Sequence, residues 1–168
     1  MINYKIRKIK LKRFYLPGEM YFITCVTENR EKIFKEDKNV RILLSVIKYY
    51  KEKYEFNIAA YCILPDHFHC LVVPSKKANI SMIMKGIKGY STRLINKTNN
   101  ANGSLWQHQF LDHIIRADED YHSHIDYIHE NPKKHRIVDE TKKYKWSSYH
   151  VYYEEEHELN SCLQVDKI

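Results

Sequence analysis

"FNIAAYCILPDHFHCLVV" occupies residues 56–73. Two apolar runs flank Pro65-Asp66, a pair that favours a turn. The runs read as two strands, over 56–64 and 67–73, joined as a tight β-hairpin. Successive side chains in a strand point to opposite faces. Phe68, Cys70 and Val72 therefore share one face and supply core. His67 and His69 share the other, roughly 7 Å apart at Cα for a rise of about 3.3 Å per residue. Both imidazoles can reach one ion, although two strand histidines with ordinary hydrogen bonds would give the same pattern.

The segments on either side extend this reading. "GEMYFITCVTENR", after Pro17, alternates Tyr21, Ile23 and Cys25 with Phe22, Thr24 and Val26, and reads as a first strand. Asp37 is expected to cap a helix to about Lys53, with Val40, Leu43, Leu44, Ile47 and Tyr50 or Lys51 on its stripe. Asn79 is expected to cap a second helix, from Ile80 to about Lys97, with Ile83, Ile87, Tyr90 and Leu94 buried. "LWQHQFLDHIIRA" then reads as one or two short strands. Asp118 is expected to cap a last helix carrying "YHSHIDYIHEN". Pro132 disfavours helical geometry in the residue before it, so that helix is expected to end near Asn131. The order β-α-β-β-α-β(β)-α fits an α+β fold with an antiparallel sheet.

A chain of 168 residues with 43% apolar and 29% charged residues fits one globular domain. The expected division is a single domain over 1–168, with a basic arm over 1–17 and a C-terminal extension over 150–168. The stretch poorest in charge, "AAYCILPDHFHCLVVPS", is too short and too polar to span a bilayer. No apolar signal region follows the N-terminal basic residues, so a cytoplasmic protein is expected. Cys25, Cys62, Cys70 and Cys162 form no C-x-x-C pair, and three of them sit in apparent strands, as buried thiols do.

Lys and Arg number 28 against 21 Asp and Glu, a formal charge of +7. Phosphate is a common partner for such a bias. The charge is clustered in "YKIRKIKLKR" at 4–13, "KKHR" at 133–136 and "KKYK" at 142–145. Fourteen tyrosines and ten histidines accompany it, and aromatics among cations can stack on nucleobases. Trp106 and Trp146 suit either stacking or buried anchoring.

A second feature lies in "HIDYIHENP". Tyr127 and Asn131 are four apart on one helix face, about 6 Å between Cβ atoms. At the helix end the Asn131 side-chain oxygen is available as a ligand, and Tyr127 would be held beside whatever it binds. A core aromatic is the plainer reading of Tyr127.

"LPDHFHCLV", then "LWQHQF", "DYIHENP" and "YKWSSY" in that order, resemble the HUH single-tyrosine transposases, and more narrowly their REP-associated tyrosine transposase branch. The resemblance runs from about the first strand to Tyr149. It implies a ferredoxin-like antiparallel sheet with helices packed mainly on one face. It implies that His67, His69 and Asn131 are metal ligands for Mg²⁺ or Mn²⁺ and that Tyr127 is the nucleophile. Relatives often carry Gln where Asn131 stands. The implied activity is cleavage and rejoining of single-stranded DNA beside hairpin (REP-like) elements, through a 5′-phosphotyrosine that conserves the phosphodiester energy. A nucleoid-associated location follows from that activity. Two imidazoles and an amide oxygen suit Mn²⁺ better than Mg²⁺.

Asp66 or Glu130 stands as a further ligand or base, His124 as a group tuning Tyr127, His113 as a neighbour of the site, and Tyr90 as a rival nucleophile. Lys85, Lys88, Arg93, Arg116, Lys133, Lys134 and Arg136 are candidate phosphate contacts. A hairpin-binding module without strand transfer, and a nuclease using activated water, remain as alternatives, as do monomer and homodimer.

Overall fold

The computed structural model of the protein describes residues 16, 18–153 and 163–166. The basic run at 4–13, Cys162 and most of the expected C-terminal extension lie outside these residues.

Four strands, β1 (Tyr21–Val26), β2 (Asn57–Leu64), β3 (His67–Val73) and β4 (Leu111–Ile114), form one sheet in the order β2-β3-β1-β4. Every neighbouring pair is antiparallel. Helices α1 (Asp37–Tyr54) and α2 (Ile80–Asn99) make the two crossovers, which gives the ferredoxin-like arrangement. Helix α3 (Asp118–Lys134) and the short α4 (Tyr149–Tyr153) follow.

The β-hairpin forms as its sequence dictates, with β3 over His67–Val73. Directly opposed residues share a face, so Ile23↔Cys70 and Cys25↔Phe68 stand together, as do Thr24↔His69 and Val26↔His67. The first face is buried in one core cluster with Leu43, Leu44, Ile47, Ile83 and Ile87, side chains from α1 and α2. The second carries the histidines and receives α3, which packs on β2 and β3. Cys25, Cys62 and Cys70 are buried thiols.

The hairpin turn is gripped from β1. The Asp66 carbonyl accepts hydrogen bonds from the Thr27 amide and hydroxyl at 2.9 Å each, and the Pro65 carbonyl accepts one from the Phe34 amide at 2.9 Å. An exposed β2 edge would invite pairing with other chains. Here residues 146–148 cover it: the Ile63 amide donates to the Trp146 carbonyl and the Ser148 amide to the Tyr61 carbonyl, both at 2.9 Å.

Several boundaries differ from the sequence reading. β1 stops at Val26, because Asn29 and Arg30 have φ of 51° and 53° and turn the chain away. Glu36 and Ala117, not Asp37 and Asp118, precede the first helical residues, and neither gives a side-chain cap. Asp37 instead accepts hydrogen bonds from Lys145 and from Trp146 Nε1. Asn79 does cap α2, accepting from the Met82 amide at 3.0 Å. The α2 stripe continues through Ser91 and Ile95 rather than Tyr90 and Leu94, because a straight helix advances 3.6 residues per turn.

Pro132 does not end α3. The ring is buried inside the helix, which runs on to Lys134. Proline forfeits its own N–H and crowds the carbonyl four residues back, a local disturbance near the end of a helix. The later amides still find carbonyls, His135 on Asn131 and Ile137 on Pro132, both at 2.9 Å.

Candidate active site

His67 and His69 project from β3 with ring centroids 4.9 Å apart. Each has its Nδ1 side engaged. Thr24 Oγ1, across the strand pair on β1, lies 2.8 Å from His69 Nδ1. Asp66 Oδ1 lies 2.6 Å from His67 Nδ1, and Arg30 Nη1 donates to Asp66 Oδ2 at 3.1 Å. Carboxylate and hydroxyl partners of this kind fix ring orientation. In both rings Nε2 is the nitrogen left for a ligand.

Helix α3 brings two more groups. The Tyr127 ring stands edge-on to His69 at 5.5 Å and to Phe22 at 5.7 Å, yet the residue is 40% exposed. Asn131, one turn on, is only 1% exposed. Its Nδ2 reaches the Tyr127 carbonyl at 3.4 Å, while its Oδ1 is buried with no hydrogen-bond partner. His69 Nε2 is buried and unpartnered as well. An orphaned buried polar atom costs about 1–3 kcal/mol. Two of them, His69 Nε2 and Asn131 Oδ1, on side chains that the resemblance gives as ligands, fit a divalent cation between β3 and α3. The His pair, Tyr127, Thr24, Arg30 and His135 line an open cleft of about 460 Å³.

The electrostatics keep the rings neutral. Burial, then the charges of His67 and His135, hold His69 down at about 3, against the pull of the Asn131 side chain, which lies near the ring but outside hydrogen-bond geometry. Burial lowers His67 as well, although Asp66 pulls the other way. Burial works to raise the Asp66 carboxyl, but His67 and Arg30 outweigh it and leave it below its usual value. Neutral imidazole is the form that binds metal.

Other sequence candidates are sorted by the sheet. Glu130 turns away and accepts from Thr141 Oγ1 at 2.7 Å, so it does not join the site. Asp66 acts through His67 Nδ1. Tyr90 lies on α2, beyond the other sheet face, among Tyr49, Tyr50 and Arg93. Trp106 and Trp146 are buried anchors, 3% and 4% exposed. His113 lines the cleft from β4, and His124 packs on Phe22 at 4.7 Å. Lys134 Nζ lies 4.8 Å from the Tyr127 ring centre, and Lys133, Arg136 and Arg116 are exposed at the two ends of α3. Lys85 and Arg93 are on the α2 surface, away from the histidines. Lys88 is a correction: its ammonium donates to the Gln107 and His108 carbonyls at 2.7 and 3.1 Å, so it secures the loop before β4 instead of facing solvent.

Residues 18–131 match the family described as IS200-like transposases. That match covers most of the chain. It spans β1 through Asn131 and so contains His67, His69 and Tyr127.

The chain belongs to the IS200-like transposase family.

Its relatives include REP-associated tyrosine transposases. The one from Escherichia coli K12 is 30% identical over 140 residues, 83% of this chain and 81% of the relative. A Haemophilus influenzae protein provisionally given the same name is 34% identical over 149 residues, 83% and 84% of the two chains. A solved REP-associated tyrosine transposase bound to a REP hairpin superposes with a TM-score of 0.75 at 28% identity, covering 85% of this chain and 84% of that one. This IS200-like chain is thus a transposase-type protein. No helix among its described residues is long and apolar enough to cross a membrane.

Sequence reasoning missed Thr24, Arg30 and His135 at the candidate site. Thr24 meets His69 only through the β1–β3 register. Arg30 arrives by a left-handed turn with no spacing signature. His135, whose ring lies 5.4 Å from that of His67, stood beyond the helix end that Pro132 suggested.

Proposed function

We propose that this chain cleaves and rejoins single-stranded DNA beside hairpin elements, with Tyr127 as nucleophile. The observation that carries the reading is the pair of orphaned buried atoms, His69 Nε2 and Asn131 Oδ1, next to an exposed tyrosine. His67, His69 and Asn131 would hold Mg²⁺ or Mn²⁺. The bound ion would neutralise a nonbridging phosphate oxygen and polarise phosphorus.

Asp66 and Thr24 engage the two imidazoles at Nδ1 and leave each Nε2 for the ion. Phe22 and His69 both pack edge-on against the Tyr127 ring, which lines the cleft and stays 40% exposed, open to an entering strand. Attack forms an Oη–P bond and breaks the P–O3′ bond. The phenol proton passes to solvent and the departing 3′-oxygen takes one up. The strand is left as a 5′-phosphotyrosine and a 3′-hydroxyl. A second 3′-hydroxyl reverses the step without ATP.

Lys133, Lys134, Arg136 and Arg116 border α3 and would meet DNA phosphates, with Lys85 and Arg93 offering a second, more distant set. REP-like hairpin DNA is the substrate class, by similarity to the hairpin-bound relative. We read the chain as one domain with residues 1–17 as a basic arm, working in the cytoplasm on nucleoid DNA. Tyr127 and the His pair meet within one chain, so catalysis within a protomer is favoured over exchange in a homodimer.

The test is Mn²⁺-dependent formation of a denaturant-stable adduct on hairpin-flanked single strands. Tyr127→Phe should abolish the adduct and keep hairpin binding within about twofold, since an exposed hydroxyl contributes little to stability. An adduct on the Phe variant would sink the assignment. Free 5′-phosphate ends without an adduct would show water as the nucleophile.

A further inference from the structure

His113, Asp120 and His124 form a second cluster of metal-binding side chains. Among the described residues they are the set of three His, Cys, Asp or Glu whose ligand atoms all lie within 4.8 Å of one another. His113 Nε2 is 3.2 Å from Asp120 Oδ2, and His124 Nδ1 is 2.9 Å from Asp120 Oδ1. The two rings lie nearly parallel, 16° apart, with centroids at 5.3 Å. Asp120 also receives the Arg116 amide at 3.4 Å, and His124 Nδ1 lies 2.8 Å from the Asp120 carbonyl.

Ligands bound at about 2.0–2.1 Å in tetrahedral geometry stand about 3.3 Å apart. The imidazole–carboxylate separations, 3.2 Å to one Asp120 oxygen and 2.9 Å to the other, are close to that edge, and an entering ion would replace the proton now shared in each contact. Side-chain exposures of 56%, 29% and 20% for His113, Asp120 and His124 leave room for an entering ion and a water ligand. The cluster borders the same cleft through His113 but does not share the ligands of the first site. The Phe22 ring stands between them, 4.7 Å from His124 and 5.3 Å from His69.

We propose that His113, Asp120 and His124 bind a divalent transition-metal ion at a second site. Two imidazoles and one carboxylate with open positions suit Zn²⁺ and its first-row neighbours rather than Mg²⁺. The site joins β4 to the first two turns of α3, and His124 is three residues before Tyr127. An occupied site clamps the helix that carries the tyrosine. That consequence rests on reading Tyr127 as nucleophile; the binding does not.

Zn²⁺ titration of the full, tag-free chain tests it. His67→Ala/His69→Ala removes the first site, and this variant should still take up one equivalent of Zn²⁺. At hundredfold excess over Kd the ion should raise its Tm by about 5–10 °C. Adding His113→Ala/His124→Ala should remove both effects. Asp120→Asn in the same background should weaken uptake at least tenfold and guards against a misfolded quadruple variant. Co²⁺ in place of Zn²⁺ should give visible d–d absorption that the same changes abolish. A His67→Ala/His69→Ala protein that takes up no Zn²⁺ overturns the proposal. So does uptake indifferent to His113, His124 and Asp120. Absence of any DNA adduct in wild type would refute the nucleophile reading alone, since the stoichiometry does not depend on it.

Discussion

Replacing Asn131 by leucine separates a ligand from a structural residue. Asn131 is 1% exposed and its Oδ1 has no partner, so wild type carries an orphaned acceptor worth about 2 kcal/mol. Its one hydrogen bond, from Nδ2 to the Tyr127 carbonyl, is long at 3.4 Å. That carbonyl sits four residues back in α3, where the Asn131 amide already serves it. Leucine is similar in volume and costs about 1 kcal/mol in repacking. Its helix preference returns a few tenths of a kcal/mol. The net expectation is a metal-free protein stabilised by about 1 kcal/mol, or about 2–4 °C in Tm for a chain of this size. Calorimetric melts in EDTA measure it. Mn²⁺ should then raise the wild-type Tm, and the variant should need at least tenfold more ion for the same gain. A variant that melts below wild type in EDTA, yet gains equally from Mn²⁺, would make Asn131 a structural residue and refute the ligand argument.

Asp66→Asn removes the charge that holds His67 Nδ1, and should weaken Mn²⁺ affinity by about 10–100-fold in a calorimetric titration while leaving the fold intact. His129 is buried against Ser148 Oγ at 2.9 Å; burial, then the His150 charge, hold it at about 4, below the ordinary His value of 6.5. The unfolded chain therefore takes up its proton first as pH falls, and stability present above pH 6.5 declines down to about pH 4. Between pH 7 and 5 its share of the loss is about 2 kcal/mol, and His129→Gln should flatten that slope in urea melts in EDTA. Ser148→Ala strips the acceptor from the buried Tyr61 amide and from His129, and should cost about 2 kcal/mol in the same melts; a neutral result would show that water replaces the hydroxyl.

The face-sharing of His67 and His69 was legible because a strand alternates sides with period two and Pro65-Asp66 fixes where β3 begins. The Tyr127–Asn131 pairing was legible because one helical turn separates them. Alternation in β1 likewise grouped Thr24 with Phe22 and Val26 on one face, but not which strand it would meet. The helix caps were misjudged by one residue because an acid in the first turn and an acid at the cap suit the helix dipole about equally. Pro132 misled because its missing N–H matters less in a last turn whose other amides are satisfied and whose ring is buried. Lys88 looked like every other lysine on a polar helix face. Only the position of the loop before β4 gave it two carbonyls.

The amino-acid sequence by itself determined the periodicities: which side chains line each face of a strand or helix, and hence that two imidazoles share a face and that a phenol accompanies an amide. Which faces meet was decided by tertiary structure. The 2-3-1-4 strand order sets Thr24 against His69, and the docking of α3 on the histidine face brings Tyr127 and Asn131 to β3. Periodicity is a property of the local backbone. Register and docking depend on burying apolar surface and pairing polar atoms between segments as much as sixty residues apart, and no local pattern encodes those distances.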